Sequence, residues 1–177
     1  MPRGDTENAF QVAAAADGIP LIRAHVSWIN QRGHYGLPPQ ATSAMHTLDT
    51  IFDALGGIRS EQAEKLLTPL PGDFLHVETG TFIEIDEHQH FTSYRLVTLN
   101  LYPHDLEVGF DVNEYRSLCS SWSPKADRYR TGKAATGFGP GGLWVPAQLV
   151  ILRLSCHGVS GSCEVVTGGC CERGHST

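Results

Sequence analysis

The sequence predicts an α/β domain. Three observations lead there: apolar residues at helical spacing between Ser43 and Leu55, two alternating segments at residues 73–77 and 81–86, and a second helical pattern from Thr92 to Tyr102. A chain of 177 residues with 41% hydrophobic residues fits one ordinary globular domain with a core of its own.

The first helix rests on Met45, Leu48, Ile51, Phe52 and Leu55, with Ser43 as the expected N-cap and Gly56-Gly57 as the stop. Glu61 to Leu67 reads as a second short helix, ended by Pro69 and Pro71. Before these, residues 1–42 form a poorly defined N-terminal segment. Leu21 to Ile29 reads as either a short strand or a helical turn, and Gly33, Gly36, Pro38 and Pro39 mark a loop.

Asp73 to Val77 and Thr81 to Asp86 alternate apolar and polar residues about the turn Glu78-Thr79-Gly80, the pattern of an antiparallel hairpin. The second segment is rich in β-branched and aromatic residues, which favours strand over helix. Thr92 is a natural cap for the helix that Tyr94, Leu96, Val97, Leu99 and Leu101 describe, with Pro103 beyond its end. Glu114–Trp122 and Ala126–Ala135 read as two further helical pieces broken at Pro124.

The last quarter differs. Of the charged residues, 28 lie in residues 1–133 and 4 in residues 134–177, and nine of the 19 glycines fall in that tail. Within it Gln148 to Leu152 is the expected strand. After Ser155 the reading is disorder or poor packing, with little contribution to the core. The domain plan is therefore an N-terminal segment (1–42), a core with a basic helical extension (43–135) and a Gly/Cys-rich tail (136–177).

Composition narrows the function classes. No apolar run approaches the roughly 20 residues of a membrane-crossing helix, and the first residues lack a signal-peptide layout, so a cytoplasmic protein with no membrane partner is the expectation. A net charge of −6 disfavours indiscriminate binding to nucleic acid. Four of five cysteines lie in the tail (Cys156, Cys163, Cys170 and Cys171), unlike a disulfide framework spread through a secreted chain. They read as reduced thiols, and Cys119 reads as a core thiol.

The hairpin carries the chemistry. Residues two apart on a strand share a face, so Glu84 and Asp86 project together while Ile83 and Ile85 point the other way. A partner strand opening at Asp73 brings a third carboxylate alongside. Such a patch repels itself unless a cation neutralises it, and Mg²⁺ takes oxygen ligands and keeps waters that it can activate. Alternating acids also describe a solvated strand face. His88 and His90 follow at once, with Gln89 between them.

Gly72-Asp73-Phe74-Leu75, then Phe82-Ile83-Glu84-Ile85-Asp86-Glu87-His88-Gln89-His90-Phe91, then Arg95 with Thr98-Leu99, resembles the core of the PD-(D/E)XK restriction-endonuclease-like superfamily. Within it the likeness is to the very-short-patch-repair-type branch and its uncharacterised actinobacterial-type relatives. The resemblance spans roughly residues 70–135. It implies a core of helix, three-stranded meander, helix and strand, with extra helices and an irregular tail. It implies a divalent-metal-dependent endonuclease hydrolysing DNA, with Mg²⁺ or Mn²⁺ held by Asp73, Glu84 and Asp86, and with Gln89 or His90 near the attacking water. Asp86 stands where the motif has a lysine, so an inactive member of the same fold, binding nucleic acid or protein, is the alternative. Arg95 and the basic group Lys125, Arg128, Arg130 and Lys133 are the expected contacts to DNA phosphates, although such a group also describes a solvated helix face.

Overall fold

The computed structural model describes residues 5–25, 29–106, 108–128, 137–138 and 163–167. These form a mixed α/β fold around a four-stranded sheet. Helix α1 (Asp5–Ala16) leads into strand β1 (Ile22–Arg23), and two 3-10 segments follow (Gly33–Gly36 and Pro39–Ala44). Helices α2 (Met45–Ala54) and α3 (Arg59–Ala63) precede the hairpin of β2 (Phe74–His76) and β3 (Thr81–Asp86). A 3-10 turn (His88–His90), helices α4 (Ser93–Asn100) and α5 (Val112–Ala126), and strand β4 (Cys163–Thr167) complete the order.

The strands lie in sequence order across the sheet, β1 to β3 antiparallel and β4 parallel to β3. The hairpin pairs antiparallel as expected, with Phe74 opposite Ile83, Leu75 opposite Phe82 and His76 opposite Thr81, and β2 ends at His76, so Val77 joins the turn instead of the strand. Gly80 closes its turn at φ 68°, a left-handed conformation that side chains disfavour.

Two apolar clusters sandwich the sheet. Ile83 and Ile85 bury with Leu21 and Phe74, and Phe10 and Ala14 of α1 pack on them. On the helical side, Leu48, Ile51 and Phe52 of α2 join Leu99 of α4 and Tyr115 and Cys119 of α5. By strand alternation Phe82, Glu84 and Asp86 face this second layer.

Several elements differ from the sequence expectation. Residues 1–42 are not merely irregular, because they supply α1 and β1. Asp5 and Glu7 favour the N-terminus of α1 and its alanines favour its interior, a helix driven by dipole and propensity rather than by a strong apolar stripe. Ser43 does not cap α2. A 3-10 turn beginning at Pro39 already winds the chain, and Ala44 takes the cap position without a side-chain bond. The short helix α3 starts at Arg59, earlier than expected, and ends at Ala63.

Downstream, α5 is continuous through Pro124, which lies in its last turn. The flanking backbone bonds from Asp127 to Ser123 and from Arg128 to Lys125 close the end around it. Asp111 starts that helix by accepting from the Asn113 and Glu114 amides. Thr92 caps α4 as expected, its hydroxyl accepting the Arg95 amide at 3.1 Å. The tail is not excluded from the fold, since residues 163–167 add β4 to the sheet. The strand expected at 148–152 lies outside the described residues. Among the described residues no helix is long and apolar enough to cross a membrane.

Candidate carboxylate site

The site lies where β2 begins and β3 ends. Asp73 sits one step beyond the last rung of the hairpin, and its carboxylate accepts the Ile85 backbone N–H at 2.7 Å. The side chain thus replaces a main-chain acceptor where the ladder stops. Burial pushes the Asp73 carboxyl above its ordinary value. The Ile85 bond opposes this shift, while Glu7 and Asp86 add to it as nearby negative charges.

Glu84 and Asp86 are buried rather than solvated. Glu84 lies against the backbone just before Asp73, since a Cβ added at Gly72 would sit 3.1 Å from Glu84 Oε1 and overlap the Phe82 ring. A glycine is therefore required where the chain enters β2.

Asp86 is held from three elements. The Tyr115 hydroxyl of α5 donates to Oδ2. His90 Nδ1 lies 3.0 Å from Oδ1, and Arg95 Nη2 of α4 lies 3.7 Å from the same oxygen. His90 Nδ1 is also 3.4 Å from the Glu87 amide, and it cannot donate to Asp86 and accept from Glu87 at once. The shorter contact to an anionic acceptor places the proton on Nδ1 and leaves Nε2 as the basic nitrogen.

The structure thus gathers Asp73, Asp86 and His90, with Glu84 beside them on β3. It does not assemble three ligands at one point, for among the described residues no group of three His, Cys, Asp or Glu side chains forms a metal cage. The Gln89 amide donates to Glu87 Oε2 at 2.9 Å.

Arg95 requires a correction. Its side chain is 2% exposed and pairs with Asp86, so it is not a surface contact for a DNA phosphate. Lys125, in the last turn of α5, and Arg128, in the turn that follows it, are both exposed. Arg130 and Lys133 lie outside the described residues. Cys119 is a core thiol, as expected. It is fully buried, and burial pushes it up to about 12.

Two participants escaped the sequence reading. Tyr115 stands four residues before Cys119 on one helical stripe and looks like any core aromatic. Glu7 lies more than sixty residues before the hairpin, and only the docking of α1 on the sheet brings its charge near Asp73.

Residues 50–135, which include every carboxylate and histidine of the hairpin, match a family of unknown function (DUF7255). No curated protein and no solved structure matches the chain.

Proposed function

We propose that this protein is a divalent-metal-dependent nuclease-like enzyme that hydrolyses DNA phosphodiester bonds. The observation that carries the reading is Asp73, a desolvated carboxylate of raised proton affinity with Glu7, Asp86 and His90 around it. Groups so perturbed cluster at functional sites. The element order supports it as well: one helix, three antiparallel strands, helices, and a last strand parallel to the third. That order is compatible with the core that the restriction-endonuclease-like resemblance implies, if α2 and α3 are read as an excursion between the first two strands.

The donor set fits Mg²⁺ or Mn²⁺ better with two protein ligands than with three. Mg²⁺ commonly takes one or two carboxylates and fills its shell with water and substrate oxygens. Asp73 and Glu84 would hold it. Asp86 is engaged by Tyr115, His90 and Arg95 and keeps His90 oriented. A bound cation would lower the pKa of a coordinated water and offset negative charge on the phosphate. His90 Nε2 would accept the proton from the attacking water, a role that the bond from Nδ1 to Asp86 prepares.

The Asp86 network also favours a second reading. Its carboxylate ties β3 to α4 and α5 in the position where a catalytic lysine is absent, as in an inactive, nucleic-acid- or protein-binding member of the same fold. Calorimetric Mn²⁺ titration beside a cleavage assay on mixed single- and double-stranded DNA separates the two. Cleavage that needs metal and is lost in Asp73→Asn and Glu84→Gln supports the enzyme. Metal binding without cleavage supports the inactive fold, and the absence of both overturns the metal site.

A further inference from the structure

We propose that Trp122, braced by His88, is a stacking contact for an unpaired nucleobase, so that the DNA engaged by this site is single-stranded or locally unpaired. The inference rests on the nuclease-like reading above. The two ring centroids lie 4.0 Å apart at 46°, and Lys125 Nζ stands 5.5 Å from the Trp122 centroid. Both rings are partly exposed. Trp122 sits at the margin of the helical core, so the indole is fixed on a packed helix and still presents surface to solvent.

Its position relative to the carboxylates is set by two short paths. His88 is two residues from both Asp86 and His90, in the turn that leaves β3. Along α5, Tyr115 and Trp122 are seven residues apart, which puts them on one helical face about 10 Å from each other. Tyr115 touches Asp86. A strand with its phosphate at the carboxylates therefore passes Trp122 with a neighbouring nucleotide.

The chemistry selects the ligand. An aromatic ring beside a lysine recognises a base through its π-face and the adjoining phosphate through the ammonium. Lys125 has a flexible stem, so a base can take its place over the indole while the ammonium moves to the backbone. Bases inside a duplex offer no open face to such a ring. The net charge of −6 also means that stacking must carry a larger share of binding than phosphate attraction does.

The test is fluorescence anisotropy of the full chain with a labelled oligothymidine and with the same strand in a duplex, in buffer containing a chelator so that no cleavage occurs. Trp122→Ala is expected to weaken single-strand binding about ten-fold or more. Trp122→Phe should retain most of the affinity, and His88→Ala should weaken it to a lesser degree. Mn²⁺ binding by calorimetry should be unchanged in all three, which also reports that they are folded. Equal affinity of Trp122→Ala and wild type, no single-strand binding by wild type, or tighter binding to the duplex would each overturn the inference while leaving the metal site to its own titration. Binding that depends on Trp122 without any metal uptake would instead uphold the stacking contact and remove the nuclease.

Discussion

Arg95 and Asp86 face one another across the boundary between helix and sheet, 3.7 Å apart and with both side chains almost wholly shielded from water. Neither charge has bulk solvent to turn to. Removing one partner of a buried pair leaves the other uncompensated, and the usual loss is about 3 to 5 kcal/mol. Here His90 and Tyr115 also contact Asp86, which places the expected loss for Arg95→Met near the lower bound, about 3 kcal/mol. Urea unfolding checks this, and adding Asp86→Asn should restore part of the loss if the charge pair is responsible. A loss for Arg95→Met below about 1 kcal/mol would mean the pair is not the tie between α4 and β3.

Asp73 has the opposite relation to stability. Its folded-state pKa lies above the unfolded value of 3.8 because burial disfavours the charged form. Its contribution is therefore fully present below that value and is lost as pH rises through the folded pKa. At neutral pH the ionised Asp73 is a cost to the fold. Asp73→Asn should raise the urea midpoint at neutral pH, since its amide oxygen can still accept the Ile85 N–H. The advantage should shrink on acidification toward the ordinary carboxylate range. Mn²⁺ should raise the stability of the wild type and not of the variant. A less stable Asp73→Asn at neutral pH would show that the carboxylate is structural.

His34 sets a second pH dependence, away from the hairpin. Its imidazole is buried beside Phe52, with Nε2 3.0 Å from Asp49 Oδ1. The Tyr35 hydroxyl donates to the same Asp49 oxygen, and Asp53 and Arg59 stand near the pair. Burial lowers the His34 pKa below 6.5, outweighing the Asp49 hydrogen bond and charge that raise it. The unfolded chain thus takes up the proton first, and stability falls as pH drops below 6.5 toward the folded value. His34→Gln keeps a donor toward Asp49 and cannot titrate. Urea midpoints between about pH 8 and about pH 5 should fall more steeply for the wild type than for this variant. Parallel slopes would assign the acid sensitivity to other groups.

What the sequence made legible was local. The antiparallel pairing of the hairpin, the two alternating sets of β3, and Thr92 as a cap follow from alternation and spacing within a dozen residues. The helix expected from Glu114 begins earlier, at Val112, because Asp111 caps it. Long-range relations were not legible. Nothing near Glu84 or Asp86 reveals that their face meets α4 and α5 rather than solvent, because that depends on where the helices dock. Strand β1 is two residues long and has no periodicity to read. Arg95 could not be told from a surface arginine until Asp86 was found opposite it.

The tail provides the last test, because glycine content and scarcity of charge mark residues 163–167 as poor candidates for structure. Yet Val165 and Val166 form the centre of a strand opposite Glu84 and Ile85. β-branched residues suit a strand whatever the composition around them. Pairing with β4 turns β3 from an edge strand into an interior one and satisfies main-chain groups along the whole of Phe82–Asp86. A chain ending at residue 162 would leave that edge open, with its amides and carbonyls bare beside an apolar stretch. The expected outcome is a fall in melting temperature of several degrees or more, with concentration-dependent association as exposed edges pair. Val166→Pro is the subtler variant, since it retains the tail and, in this parallel register with the main-chain groups of Glu84 and Asp86 facing β4, removes one main-chain donor from the ladder. It should reproduce most of the loss. If both variants melt within about a degree of the wild type and stay monomeric, β4 adds nothing to the sheet's stability and the carboxylate strand holds its place through α4 and α5 alone.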